Sequence, residues 1–159
     1  MTDPLNEFFI ESLENLDQYD AGLLVLEKTP DSPKTIAAIF RTLHTIKGTC
    51  GFLALHKLEA IAHAGENLLV LIRDGTLAFN PMIASALLAT GDAIRAIISE
   101  LEATKKEGDT DYSGLIQTLN QLQTTAPATA PAAAPAAAPA AAPAAAPAAA
   151  PAAAPAAAP

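Results

Sequence analysis

The sequence predicts an all-α fold: an antiparallel up-down-up-down four-helix bundle, with a short fifth helix and a disordered Ala/Pro tail. Three observations lead to this prediction. Apolar residues recur at helical spacing over long segments, a capping residue followed by proline opens three of them, and no segment alternates in the manner of a β-strand. Long helices joined by short turns pack most simply as antiparallel neighbours.

The first helix is predicted to begin at Asp3-Pro4 and the second at Ser32-Pro33, because a capping side chain followed by proline favours a helix start. The apolar stripe of the first is Leu5, Phe8, Phe9, Leu13, Leu16, Leu23 and Leu26. That of the second is Ile36, Ile39, Phe40, Leu43, Ile46 and Cys50. The outer face of the first helix is interpreted as solvated and carries Glu7, Glu11, Glu14, Asp17 and Asp20.

The third helix is predicted from about Leu55 to Asp74, with Gly75 as its stop, and the fourth from Asn80-Pro81 to a point before Gly108. Their apolar stripes are Leu58, Ile61, Ala62, Gly65, Leu68, Leu69 and Ile72, and Ile83, Leu87, Ile94, Ile97, Ile98 and Leu101. The short fifth helix, from Tyr112 to Gln123, places Leu115, Leu119 and Leu122 on one face. This helix either packs across one side of the bundle or begins the linker.

Composition divides the chain into a domain, residues 1–123, and a low-complexity Ala/Pro linker, residues 124–159, in which proline at every fourth position prevents a helix. The linker has no charge, so the net charge of −8 belongs to the domain and argues against a nucleic-acid partner. One cysteine cannot form an internal disulfide. With no signal peptide or membrane-length apolar run in view, a cytoplasmic protein is expected, whose chain ends inside a linker to further domains.

The most informative segment surrounds His44 on the second helix. His44 is one residue from the buried stripe, so its imidazole is expected at the edge of that stripe or outside it. Lys47 and Gly48 are its surface neighbours, and a glycine inside a helix costs about 1 kcal/mol relative to alanine. Clearance for another protein around an accessible imidazole would explain Gly48, and Lys47 would attract an anionic group. The pattern suits a phosphoryl acceptor.

The third helix carries His63 and Glu66 on one face. In an antiparallel bundle this helix lies against the second, so a carboxylate can reach across to His44. A hydrogen bond from one ring nitrogen of His44 to Glu66 would fix the tautomer and leave the other nitrogen free as a nucleophile. The acceptor of the phosphoryl group would then be an aspartate of another protein.

Two stretches carry a family resemblance: His-Thr-Ile-Lys-Gly-Thr-Cys-Gly-Phe-Leu from His44, and Leu-Glu-Ala-Ile-Ala-His-Ala-Gly-Glu-Asn-Leu-Leu from Leu58, followed by Arg-Asp-Gly. They resemble the N-terminal histidine phosphotransfer (HPt, P1) domain of CheA-type chemotaxis histidine kinases. The resemblance covers about Leu5 to Leu101. It departs at Ala54, where glycine is common.

The resemblance implies His44 as the phosphorylated residue, Glu66 as its hydrogen-bond partner, Lys47 and His63 as members of the polar network, and Gly48 as the clearance position. It implies a domain that binds no cofactor and does not hydrolyse ATP itself. A kinase domain of the same or a partner subunit supplies ATP and Mg²⁺, and the phosphoryl group passes to receiver domains (CheY-like, CheB-like) that bring their own Mg²⁺.

Three alternative functions come from other classes of protein. A metal-binding bundle has candidate ligands, but lacks repeated inward carboxylates; the ligand types are His44, Cys50, His56, His63 and Glu66. A bundle without chemical activity, which only binds a partner protein, would use the acidic face of the first helix. A complete enzyme lacks a glycine-rich nucleotide loop and a Ser/His/Asp arrangement. His56 is interpreted as a surface residue and Cys50 as core.

Overall fold

A computed structural model of the chain describes residues 3–125, and the predicted disorder and linker role of residues 126–159 lie outside the described residues. The described part forms five helices and no strand. They are α1 Pro4–Lys28, α2 Pro33–Leu53, α3 His56–Arg73, α4 Pro81–Thr104 and α5 Ser113–Thr125. The all-α prediction is confirmed, and the fifth helix ends two residues beyond the predicted Gln123.

The predicted helix starts at Asp3, Ser32 and Asn80 are confirmed by side-chain caps. The Asp3 carboxylate accepts a hydrogen bond from the Leu5 N–H at 3.1 Å. The side-chain carbonyl of Asn80 accepts one from the Ile83 N–H at 3.0 Å. Each cap satisfies a backbone donor that the first turn of a helix leaves without an intrahelical partner.

Helix α3 begins differently, because its capping position is Leu55, which has no polar side chain. The carboxylate of Glu107, in the α4–α5 connection, accepts instead from the Lys57 N–H at 3.2 Å and the Leu58 N–H at 2.7 Å. The Lys57 ammonium donates to the Gly108 carbonyl at 2.6 Å. These bonds anchor the α4–α5 connection to the start of α3.

The four long helices form an antiparallel bundle in which α1 packs against α2 and α4, and α3 packs against the same two helices. Helix α5 packs against α3 and α4, so the first of the two placements considered for it is correct. The predicted stripes form the core, with Leu5, Leu13, Phe40 and Leu115 partly rather than fully buried. Burial of this apolar surface is the main force that holds the helices together.

Helices α2 and α3 form a tight hairpin. The connection is Ala54 and Leu55, and Ala54 has φ 60° and ψ 36°, a left-handed conformation that costs a non-glycine residue about 1–2 kcal/mol. Gly65 of α3 brings the helices close, since a Cβ at Gly65 would lie 2.8 Å from Leu43 Cδ1. The hairpin thus sets the spacing between the helix that carries His44 and the helix that carries Glu66.

Helix α4 meets length and composition criteria for a membrane span, with a mean hydropathy of 1.4 over its best window. This does not contradict the expectation that no uninterrupted apolar run of membrane length occurs, because Asp92 and Arg95 interrupt the apolar sequence of the helix. The apolar character of α4 has an explanation within the bundle, because 56% of that window is buried against the other helices. A central helix of a helical core has the same composition.

Candidate functional site

The site begins with the imidazole of His44, which projects from the outer side of α2. Its side chain is 60% exposed, whereas the side chain of Glu66 on α3 is only 9% exposed. His44 Nδ1 lies 3.1 Å from Glu66 Oε2. The structure therefore brings together the two residues predicted to interact, with the imidazole accessible and the carboxylate sheltered beneath it.

Lys47 completes the arrangement, one turn after His44 on α2. Its ammonium donates to Glu66 Oε1 at 2.9 Å, so both oxygens of Glu66 have a partner. A buried carboxylate needs such partners, because removing a charge from water without them is costly. Lys47 holds the carboxylate in place and lowers the cost of burying its charge.

The hydrogen bond to Glu66 determines which nitrogen of His44 can react. An ionised carboxylate only accepts hydrogen bonds, so a neutral His44 places its proton on Nδ1. Nε2 then keeps its lone pair, and it belongs to a side chain that is mostly exposed to solvent. The arrangement presents a nucleophilic nitrogen of fixed tautomer to any molecule that reaches the surface of α2.

Gly48 lies one turn from His44 on the same exposed face. An added Cβ at Gly48 would meet no other atom within 4 Å. Packing within the domain therefore does not require glycine at this position. The absence of a side chain leaves the surface beside the imidazole open, as the clearance prediction requires.

His63 is not brought into this arrangement. It is exposed, and within residues 3–125 it forms no hydrogen bond or ion pair with His44, Lys47 or Glu66. The predicted polar network of four residues therefore contains three in the structure. The spacing of His63 and Glu66 on α3 predicted that they lie together. In the structure the side chain of Glu66 is buried, whereas that of His63 is exposed to solvent.

The remaining candidate ligands are dispersed. His56 is exposed, with its Nδ1 4.0 Å from Glu59 Oε2. Cys50 is fully buried, as predicted, and burial raises the pKa of its thiol to about 12. Within the described part of the chain, no group of three or more His, Cys, Asp or Glu side chains is placed to hold a metal ion.

Sequence reasoning assigned Phe40 only to the apolar stripe, and it missed the contacts of this ring. Phe40 is partly buried and stacks on the imidazole of His44, with ring centroids 5.7 Å apart and planes 18° apart. The guanidinium carbon of Arg73 lies 4.8 Å from the centroid of the Phe40 ring. The spacing of Phe40 and His44, four residues apart on one helix, was the available signal.

A second polar cluster joins α1 to α4 away from His44. The guanidinium of Arg95 donates to Asp17 Oδ1 at 3.0 Å and pairs with Asp20 Oδ2 at 2.8 Å. Asp20 Oδ1 is buried and has no hydrogen-bond partner. The interpretation of the acidic face of α1 as solvated holds for Asp17, whose side chain is 81% exposed, and is wrong for Asp20, which has a buried oxygen.

Comparisons with known proteins show which family the chain is similar to. The sequence profile of the family described as "Hpt domain" matches residues 4–106. The chain is 33% identical over 119 residues to the chemotaxis protein CheA of Halobacterium salinarum, covering 75% of this chain, and 32% identical over 94 residues to that of Treponema pallidum, covering 59%. The chain covers 18% and 12% of these relatives, so it spans less than a fifth of their length.

Solved structures show the same fold. The crystal structure of the phosphorylated P1 domain of CheA3 in complex with CheY6 from R. sphaeroides superposes with a TM-score of 0.71 at 28% identity. The match covers 79% of this chain and 99% of that one. The CheA phosphotransferase domain from Thermotoga maritima superposes with a TM-score of 0.60 at 28% identity. This match covers 62% of this chain and 93% of that one.

Proposed function

The chain belongs to the Hpt domain family, and we propose that it is a histidine phosphotransfer module of a two-component system of the chemotaxis type. His44 accepts a phosphoryl group from an ATP-dependent kinase domain and passes it to an aspartate of a response-regulator receiver domain. The observation that carries this proposal is the exposed imidazole of His44 with its Nδ1 bonded to the buried carboxylate of Glu66 at 3.1 Å.

In the first step, the lone pair of His44 Nε2 attacks the γ-phosphorus of ATP. The bond between that phosphorus and the bridging oxygen breaks, and ADP leaves with the electron pair. The proton on Nδ1 stays in its hydrogen bond to Glu66 while the ring becomes cationic. A carboxylate at 3.1 Å stabilises this positive charge as it develops, which makes Nε2 a better nucleophile.

In the second step, a carboxylate oxygen of the receiver aspartate attacks the same phosphorus. The phosphorus–nitrogen bond breaks and its electrons return to Nε2, so His44 is again neutral with its proton on Nδ1. The open surface at Gly48 allows the receiver to approach the ring. The ammonium of Lys47, which is 26% exposed, offsets part of the charge of the phosphoryl group.

The domain needs partners for both steps, because in this mechanism it binds neither ATP nor a cofactor itself. The kinase domain, of the same or a partner subunit, supplies ATP and Mg²⁺, and the receiver (CheY-like or CheB-like) supplies its own Mg²⁺. Mg²⁺ offsets charge on the phosphoryl oxygens when bound in those partners. On its own the module is a phosphoacceptor and phosphodonor, and its parent protein is a histidine kinase.

The similarity to a small part of much longer CheA proteins supports a phosphotransfer domain followed by a linker, and the end of α5 moves the predicted boundary from residue 123 to Thr125. The proposed role of this linker is to connect the module to the rest of the parent protein. A cytoplasmic location, without membrane insertion or nucleic-acid binding, is part of the same proposal.

The test is a phosphotransfer assay with radiolabelled ATP and a CheA-type kinase core that lacks its own Hpt domain. The wild-type chain should acquire acid-labile label and lose it to a receiver, whereas His44→Gln should acquire none. His56→Gln is the matched control, because it changes another exposed histidine, at the start of α3. Label on the His44→Gln chain, or a wild-type chain that stays unlabelled with several kinase cores, would contradict the proposal.

A further inference from the structure

The imidazole of His44 has two contacts within the domain, and only one of them was expected. The hydrogen bond from Nδ1 to Glu66 comes from α3. The other contact is the ring of Phe40, one turn earlier on α2, with planes 18° apart and centroids 5.7 Å apart. Aromatic rings at this separation and tilt attract each other in an offset stack.

The two contacts restrain different motions of the imidazole. A hydrogen bond at one atom sets the position of Nδ1, but it leaves the ring able to tilt about that atom. A parallel aromatic surface sets the plane of the ring. Together they determine the direction in which Nε2 points, on a side chain that is otherwise 60% exposed.

The Phe40 ring is itself held from α3. The guanidinium carbon of Arg73 lies 4.8 Å from the ring centroid, within the range of a cation–π interaction. Arg73 is seven residues, or about two turns, after Glu66, so the two residues lie on the same face of α3. Arg73 Nε also donates to Asp74 Oδ1 at 3.2 Å, which keeps the guanidinium at the end of the helix. One face of α3 therefore supports His44 twice, directly and through Phe40.

We propose that Phe40 is a positioning residue for His44, fixing the plane of the imidazole so that Nε2 points toward an incoming phosphoryl group, and that Arg73 keeps the Phe40 ring in place. Direction matters because phosphoryl transfer needs the nucleophile in line with the leaving group, and misplacement by about 1 Å can cost a hundredfold in rate. The effect on phosphorylation rests on the proposed function, whereas the stacking can be measured without it.

The experiment compares Phe40→Leu and Phe40→Tyr in the full chain. Leucine retains an apolar side chain against the core but removes the aromatic face, and tyrosine retains that face. Phe8→Leu is the matched control, because it makes the same substitution at a buried position of α1. The measurements are the ¹H NMR shifts of the His44 ring protons, and the kcat and KM of phosphorylation by the kinase core.

We expect Phe40→Leu to move the His44 ring protons to lower field, because the neighbouring ring no longer shields them, and to lower kcat on the order of tenfold with KM unchanged. Phe40→Tyr should retain the wild-type shifts of the His44 ring protons and the wild-type kcat. Phe8→Leu should leave the same two quantities unchanged. Arg73→Gln should give a smaller loss of kcat in the same direction. These results would support the positioning role.

A kcat for Phe40→Leu equal to that of the wild type would overturn the proposal, as would a tyrosine variant as slow as the leucine variant. Unshifted His44 protons in Phe40→Leu would show that the rings do not stack. Failure of the proposed function looks different: the wild-type chain would remain unlabelled, while the shifts of the His44 protons would still respond to Phe40→Leu.

Discussion

The α2–α3 and α1–α4 interfaces each contain a carboxylate that reaches across two helices and a glycine that admits a large side chain. Across α2–α3 these are Glu66 and Gly65, and across α1–α4 they are Asp20 and Gly91. Both oxygens of Glu66 have partners, and one partner is an exposed imidazole. Asp20 pairs with Arg95 through one oxygen and leaves the other buried without a partner.

The difference teaches that a carboxylate between helices is not by itself a sign of function. What distinguishes Glu66 is that the group it orients is exposed and, in the proposed function, carries the nucleophile. Arg95, the partner of Asp20, is protonated as every arginine in a protein is; burial lowers the pKa of its guanidinium, but Asp17 and Asp20 outweigh this effect and raise it. A guanidinium in that state holds α1 and α4 together but has no lone pair to offer.

The largest expected effect is on the rate of His44 phosphorylation, which should depend on the carboxylate of Glu66 and not on that of Asp20. Glu66→Gln keeps the shape of the side chain but removes the charge that stabilises a cationic His44. We expect the rate of His44 phosphorylation to fall on the order of ten- to a hundredfold, the range seen when a carboxylate that orients a metal-bound histidine is lost. The kinase-core assay measures it.

The matched variant is Asp20→Asn, which should leave that rate unchanged and alter the free energy of unfolding by no more than about 1 kcal/mol. Circular dichroism should show that both variants remain helical. Equal rates for Glu66→Gln and the wild type would remove Glu66 from the mechanism.

The next effect is on stability, and it compares the two glycines. A Cβ at Gly65 would lie 2.8 Å from Leu43 Cδ1, in a fully buried position, whereas a Cβ at Gly91 would lie no closer than 3.2 Å to any side-chain atom. Gly65→Ala should lower the free energy of unfolding by about 1–3 kcal/mol. Gly91→Ala should be close to neutral, because better helix propensity offsets a mild crowding. Urea unfolding distinguishes these outcomes, and equal losses would contradict the closer packing of α2 on α3.

Alkaline pH provides a third comparison, through one buried acidic group at each interface. Burial raises the pKa of the Cys50 thiol from 9.0 to about 12, and it raises the pKa of the Tyr19 hydroxyl well above 10.0. Between these values the unfolded chain releases a proton that the folded chain retains, so stability is complete below pH 9 and falls above it.

At pH 10, Cys50 should account for about 1.4 kcal/mol of lost stability and Tyr19 for about 0.4 kcal/mol. Urea titrations at pH 8 and pH 10 measure the loss, and Cys50→Ala should reduce it by more than Tyr19→Phe does. A loss of the same size in Cys50→Ala would show that other groups cause it.

The smallest effect concerns the connection that makes the α2–α3 interface tight. Ala54 has a left-handed backbone with φ 60°, which glycine adopts without steric cost. Ala54→Gly should raise the free energy of unfolding by up to about 1 kcal/mol. Lys105, with φ 62° at the end of α4, is the matched position, and Lys105→Gly should give a similar gain. Thermal unfolding measures both, and a loss of stability at Ala54 would contradict the strain.

The sequence predicted the helices well, because their caps and apolar stripes are local signals. The pairing of His44 with Glu66 followed from spacing and the antiparallel arrangement, and the structure brings the two together. The exposed position of His63 could not be predicted from its spacing to Glu66. A separation of three residues places both on one side of α3, but it does not determine whether their side chains are in contact. The Arg95 cluster was missed for a related reason: its members are 78 residues apart and no local pattern joins them.

The hairpin of α2 and α3 also has a consequence for folding kinetics. His44 and Glu66 are 22 residues apart in the chain, and two helices with a two-residue connection suffice to bring them together. Asp17 and Arg95 meet only when the first and fourth helices associate, 78 residues apart, which costs about 1 kcal/mol more in loop-closure entropy. Contacts that close short loops form fastest, so the reactive pair can assemble before the bundle does.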